Sequence, residues 1–140
     1  MNLDEAVVYD VETLPNVFTL DAEKLFSDVR STWEISDYRN DVQQLIQWFN
    51  WLHQTQTPMI GFNNEFFDYR IIHEIMRNPN VTAYQLYLLK EEMFSSHDRF
   101  GHTIWQSDRF APQIDLFKIH HFDNRAKTTS LKALQINMRS

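Results

Sequence analysis

Near the start of the chain, the run Val7-Val8-Tyr9-Asp10-Val11-Glu12-Thr13 restricts the fold more than any other stretch. Val, Tyr and Thr favour pleated backbone, so the run predicts a strand leading into two carboxylates one residue apart. Residues i and i+2 of a strand share a face, which sets Asp10 and Glu12 side by side. Adjacent carboxylates repel unless they are solvated, protonated or sharing a cation. A site of oxygen ligands suits a hard divalent ion such as Mg²⁺ or Mn²⁺. Taken alone, the pair also reads as a solvated strand end.

Further along, strand and helix patterns alternate. Leu14-Pro15-Asn16 predicts a turn, residues 17–20 a second strand and residues 29–35 a third, with close spacing that favours antiparallel hairpins. Val42, Leu45, Ile46, Phe49 and Leu52 recur at helical spacing, predicting a helix over 38–54 capped by Ser36 or Asp37. Trp48 and Trp51 flank that stripe and read as core or edge packing. Residues 58–62 form a fourth strand, parallel to the first through a right-handed crossover. Two helices follow, one burying Phe67, Ile71, Ile72 and Ile75 and stopping before Asn78-Pro79, the other over 82–96. Residues 95–109 read as a polar loop, where the irregular spacing of His97, Asp98, His102 and Asp108 favours solvation over metal ligation. Residues 111–117 form a fifth strand, and Thr129 or Ser130 caps a closing helix. This is an α/β layered architecture in one domain spanning 1–140.

Composition narrows the function classes. With 140 residues, 43% of them hydrophobic, there is material for one core and not two. The chain has no cysteine, which excludes disulfides, thiolate zinc sites and cysteine nucleophiles. No apolar run reaches membrane-spanning length and no basic-then-apolar leader opens the chain, so the expectation is a cytoplasmic protein with no membrane partner. The net charge of −6 is uneven: residues 118–140 carry five cations against Asp123, a net of +4, leaving −10 for the rest. A basic tail beside acidic ligands would suit a phosphodiester substrate, and it reads equally as a solvated surface segment.

A second acidic segment, Ile60-Gly61-Phe62-Asn63-Asn64-Glu65-Phe66-Phe67-Asp68-Tyr69, runs from a short strand into a helix. It places Asp68 in the helix's first turns, where free N–H groups and the dipole favour an anion. Ordinary readings are a first-turn acid for Asp68 and capping for Asn63 and Asn64. Together, the two segments resemble the first two motifs of the DEDD (DnaQ-like) 3′–5′ exonucleases. Asp10-Val11-Glu12 matches the D-x-E at the end of strand one; Asn63 or Asn64 with Phe67-Asp68 matches the second motif. Gln113-Ile114-Asp115-Leu116-Phe117 and Ser130-Leu131-Lys132-Ala133-Leu134 look like the family's next strand and the helix after it.

The resemblance implies a ribonuclease H-like mixed sheet, three antiparallel strands then parallel ones, flanked by helices. It implies a metal-dependent 3′–5′ exonuclease domain acting on the single-stranded 3′ end of DNA or RNA with two Mg²⁺ or Mn²⁺ ions about 4 Å apart. Asp10 would bridge both ions, Glu12 would hold one and Asp68 the other. Thr13 and Leu14 match positions that lie against the terminal nucleotide, with Asn64 and Phe67 as further candidates for that pocket. Asp115 takes a structural place. The family's Thr-Gly is Thr13-Leu14 here, which alters the pocket's shape. The third motif, Y-x-x-x-D or H-x-x-x-x-D, has no match in the last third, so the expectation is an incomplete domain, its C-terminal part missing and its isolated activity weak. A polymerase region downstream or in trans would make it a proofreading part. A non-catalytic nucleic-acid-binding or polymerase-docking module on the same fold is the alternative.

Overall fold

The computed structural model describes residues 5–62, 64, 67–95 and 104–116. Strand β1 (Val7–Leu14) turns at Pro15-Asn16 into β2 (Val17–Lys24), and β3 (Arg30–Ser36) follows. Helix α1 (Val42–Thr55) leads to β4 (Met59–Gly61), then α2 (Asp68–Arg77), α3 (Ala83–Ser95), a 3₁₀ turn at Gln106–Asp108 and β5 (Gln113–Asp115). The five strands form one mixed sheet in the order β3-β2-β1-β4-β5. Antiparallel pairing joins β1 to β2 from Val7↔Lys24 to Leu14↔Val17, and β2 to β3 from Val17↔Ser36 to Glu23↔Arg30. Parallel pairing joins β1 to β4 and β4 to β5.

Period-two alternation divides the sheet. Val7, Tyr9, Phe18, Leu20, Ala22, Ile35 and Met59 face the helices and pack with Leu45, Phe49 and Leu52 of α1, Ile71, Ile72 and Ile75 of α2, and Leu86 and Met93 of α3. Full burial of each such side chain contributes about 1.5–3 kcal/mol before chain entropy is counted. Val8 and Ile60 point to the opposite face, in a smaller cluster with Ala6. Asp10 and Glu12 share that face with Val8. Trp48 lies partly buried against Trp33, with ring centroids 4.5 Å apart, and Trp51 stays exposed.

Several boundaries differ from the sequence expectation. Helix α1 starts at Val42 rather than 38, and neither Ser36 nor Asp37 caps it. Residues 36–40 are held in a turn instead: the Ser36 hydroxyl accepts the N–H groups of Tyr38 and Arg39, both at 3.2 Å. Asp41 accepts the Glu34 N–H at 2.9 Å and pairs with Arg39 at 2.6 Å. These local bonds give the backbone an alternative to helix. Strand β2 runs four residues beyond the expected 17–20 because β3 pairs with it as far as Glu23. In contrast, α3 begins as its sequence predicts. Thr82 and Gln85 bond reciprocally, at 3.0 and 3.2 Å, in a capping box. Asn63, His97, Asp98, His102 and Asp123, the Lys and Arg residues of 118–140, and the expected closing helix lie outside the described residues. Among the described residues no helix is long and apolar enough to cross a membrane.

Candidate functional site

The site forms where β1 outruns its neighbour. Strand β4 pairs with β1 only at Val7↔Met59 and Val8↔Ile60, so β1 from Tyr9 onward has an open edge. The Val7 N–H donates to Pro58 on that edge at 3.0 Å, and alternation sends the Val11 N–H to the same side. Its influence holds down the carboxyl pKa of both Asp10 and Asp68 without offsetting what raises them. Asp68 is the first residue of α2, so the helix start brings its carboxylate within electrostatic reach of Asp10 on the strand.

One donor does not offset the crowding. Burial, then the charges of Asp10 and Asp115, push the Asp68 carboxyl up to about 8, against the Val11 hydrogen bond. Asp10 is also raised, by desolvation, then by Asp21 and Glu12, although the residue has an exposed side. Asp21 is its cross-strand partner on β2 and shares its face. Such an arrangement favours either a retained proton or a bound cation. The donor set is all oxygen and its chemistry fits a hard divalent ion, with Asp10 and Asp68 as the residues to hold it and Glu12 beside them. Among the described residues, no three His, Asp or Glu side chains stand gathered in a metal-holding group.

Beneath the acids lies a polar layer that sequence reasoning missed. The Tyr9 hydroxyl donates to Gln113 Oε1 at 2.7 Å, and Asn64 Nδ2 donates to the same oxygen at 3.0 Å. Gln113 Nε2 is in turn tied to the Ala111 carbonyl at 3.2 Å. Burial first, then Asp68, raises the Tyr9 hydroxyl far above its ordinary range, so it stays a donor. Asn64 is fully buried. Its carbonyl accepts the Tyr69 N–H at 2.8 Å, while its side chain serves neither as a helix cap nor as part of the pocket wall. Asp115 ends β5, buried, opposite Gly61, and acts through its charge on Asp68 and Tyr9.

A pocket of about 340 Å³ opens beside Asp68. Glu12, Thr13 and Leu14 of β1 form one wall, Phe67 and Asp68 the head of α2, and Lys90 and Phe94 the α3 side. The structure thus brings Glu12, Thr13, Leu14, Phe67 and Asp68 to one pocket, which Asp10 and Asn64 do not line. Lys90 and Phe94 were not foreseen. They sit four residues apart, hence on one helix face, but α3 has no clean apolar stripe against which a functional pair would stand out. The sequence matches no protein-family model and no curated protein.

Proposed function

We propose that this chain is a metal-dependent 3′–5′ exonuclease domain of the DEDD type on a ribonuclease H-like sheet, hydrolysing the terminal phosphodiester of single-stranded DNA or RNA. The mixed sheet, with three antiparallel strands followed by parallel ones, supports the fold half of that reading. Fold alone carries no activity, because many chemistries share such sheets. The observation that carries the function is the convergence of two segments far apart in sequence, Glu12 of β1 and Asp68 of α2 lining one pocket, with the charge of Asp10 acting on Asp68. Both matched motifs of the resemblance therefore lead to one place.

In this reading Asp10 and Asp68 would hold hard cations, with Glu12 adjoining. Bound ions would activate water and offset charge on the departing 3′ oxygen. The Tyr9–Gln113–Asn64 bonds tie β1, β5 and the approach to α2 together, and Thr13, Leu14 and Phe67 receive the terminal nucleotide. The test is nucleotide release from a labelled strand in Mg²⁺ or Mn²⁺, together with thermal melts. We expect Mn²⁺ to raise the melting temperature, and Asp10→Ala to remove most of that rise while leaving the metal-free fold intact. Equal shifts in wild type and variant would refute the site. Single-strand binding that is the same in chelator and in Mn²⁺, without release, would favour the binding-module reading.

A further inference from the structure

Strand β3 ends the sheet on one side and pairs with β2 alone. The Lys24 N–H donates to the Val29 carbonyl at 3.3 Å. Alternation from that pair turns the backbone groups of Ser31, Trp33 and Ile35 toward β2, and those of Thr32, Glu34 and Ser36 outward. An outward row of this kind is a template for another strand. Here the chain doubles back along it. Asp41 takes both Glu34 groups: its carboxylate accepts the N–H and its own N–H donates to the carbonyl, each at 2.9 Å. The Ser36 N–H donates to the Arg39 carbonyl at 2.7 Å, and the Arg39 guanidinium donates to the Thr32 carbonyl at 3.3 Å. An Arg39–Asp41 ion pair at 2.6 Å closes the strap on itself. Asp41 stands at the N-cap of α1, yet its carboxylate makes no cap bond there. An acid at that place ordinarily serves its own helix; this one serves the strand edge.

We propose that the outer edge of β3 is a pairing surface for a second copy of this chain, and that residues 39–41 are a strap holding it shut. The occupant follows from the strand's own charges. Antiparallel self-pairing about Thr32 sets Thr32 against its counterpart, with Arg30 of each chain opposite Glu34 of the other. In that register the paired residues are those whose backbone groups face outward, and opposite charges meet on both sides of the two-fold axis. The Thr32 carbonyl and both Glu34 groups cannot serve strap and copy at once, so the strapped chain stays single. This surface needs neither a metal nor the exonuclease reading.

Sedimentation velocity of the full chain from about 1 to 100 μM tests this, because pairing between copies grows with concentration by mass action. We expect wild type to sediment as one chain throughout, and Arg39→Ala with Asp41→Ala to approach twice that mass at the upper end. Asp41→Asn, which keeps an acceptor for the Glu34 N–H, should stay single. Adding Glu34→Lys to the double variant sets like charges across the pair and should return it to one chain; adding Arg30→Glu as well should restore the dimer. Circular dichroism shows whether each variant keeps its sheet. Should the double variant unfold, Arg39→Ala alone frees the Thr32 carbonyl and is read in the same way. A wild-type dimer would overturn the strap. A folded variant that stays single, or association indifferent to Glu34→Lys, would overturn the pairing surface.

Discussion

Asp68 begins a helix, where its charge is welcome, and sits half-buried in an acidic corner, where it is not. The second effect wins, because burial and the charges of Asp10 and Asp115 lift its carboxyl to about 8. This fixes the sign of a pH effect. In the unfolded chain an Asp gives up its proton near pH 4. The native state therefore binds more protons between roughly pH 4 and 8, and stability falls as pH rises through that window, by up to about 1.4 kcal/mol per pH unit. Denaturant melts of the metal-free protein at several pH values should show this decline. Asp68→Asn, which keeps the shape and removes the charge, should flatten it, leaving only the weaker contribution of the raised Asp10. Saturating Mn²⁺ should flatten it as well, by stabilising the ionised form. Identical pH profiles for wild type and Asp68→Asn would show that the corner is not strained by charge.

At the scale of elements, a close joint lies between β4 and the approach to α2. A methyl group at Gly61 would lie 3.0 Å from Asn64 Cβ and 3.1 Å from its Cγ. Asn64 is fully buried and bonded to Gln113, so it has little room to yield. Gly61→Ala should thus cost about 1–3 kcal/mol by overpacking, read as a lower denaturation midpoint. The same shift should loosen the floor under Asp68. A wild-type midpoint would show that Asn64 moves freely. This joint also marks the limit of what sequence could tell. Strand β1 and its acidic face were legible because alternation is local, and the start of α3 was legible to within a residue. Asn64 looked like a cap or a pocket residue because an Asn before a helix is ordinarily either. Its partner Gln113 lies on another strand, and no periodicity connects the two. The late start of α1 was hidden for a related reason. Ser36 and Asp41 could cap a helix or close a turn, and the β3 backbone decides between them.

Taken whole, the molecule is acidic, and that bears on how it would hold a polyanion. Four described cations are already engaged on its own surface, Lys24 with Glu5, Arg30 with Asp21, Arg39 with Asp41 and Arg70 with Glu74. The more exposed of them, Lys24 with Glu5 and Arg30 with Asp21, add little stability, about 0–1 kcal/mol each, and all four reduce the charge offered to phosphates. At the pocket, Lys90 is bonded to Thr13. Binding there should draw on divalent ions more than on a basic track. Each phosphate neutralised by a side chain steepens the fall of log K with log salt by about 0.7 for a single strand. We therefore expect a shallow slope, between about −1 and −2, for single-strand binding in Ca²⁺ as monovalent salt rises from about 50 to 200 mM. Lys90→Gln should make it shallower by less than one. The five cations of residues 118–140 supply the contrasting outcome. A slope near −3 or steeper would mean that this segment grips the strand, with affinity coming from its charge and not from the pocket. Replacing Lys127 and Lys132 by Gln would then flatten the slope, whereas in the pocket-led case the same change leaves it unaltered.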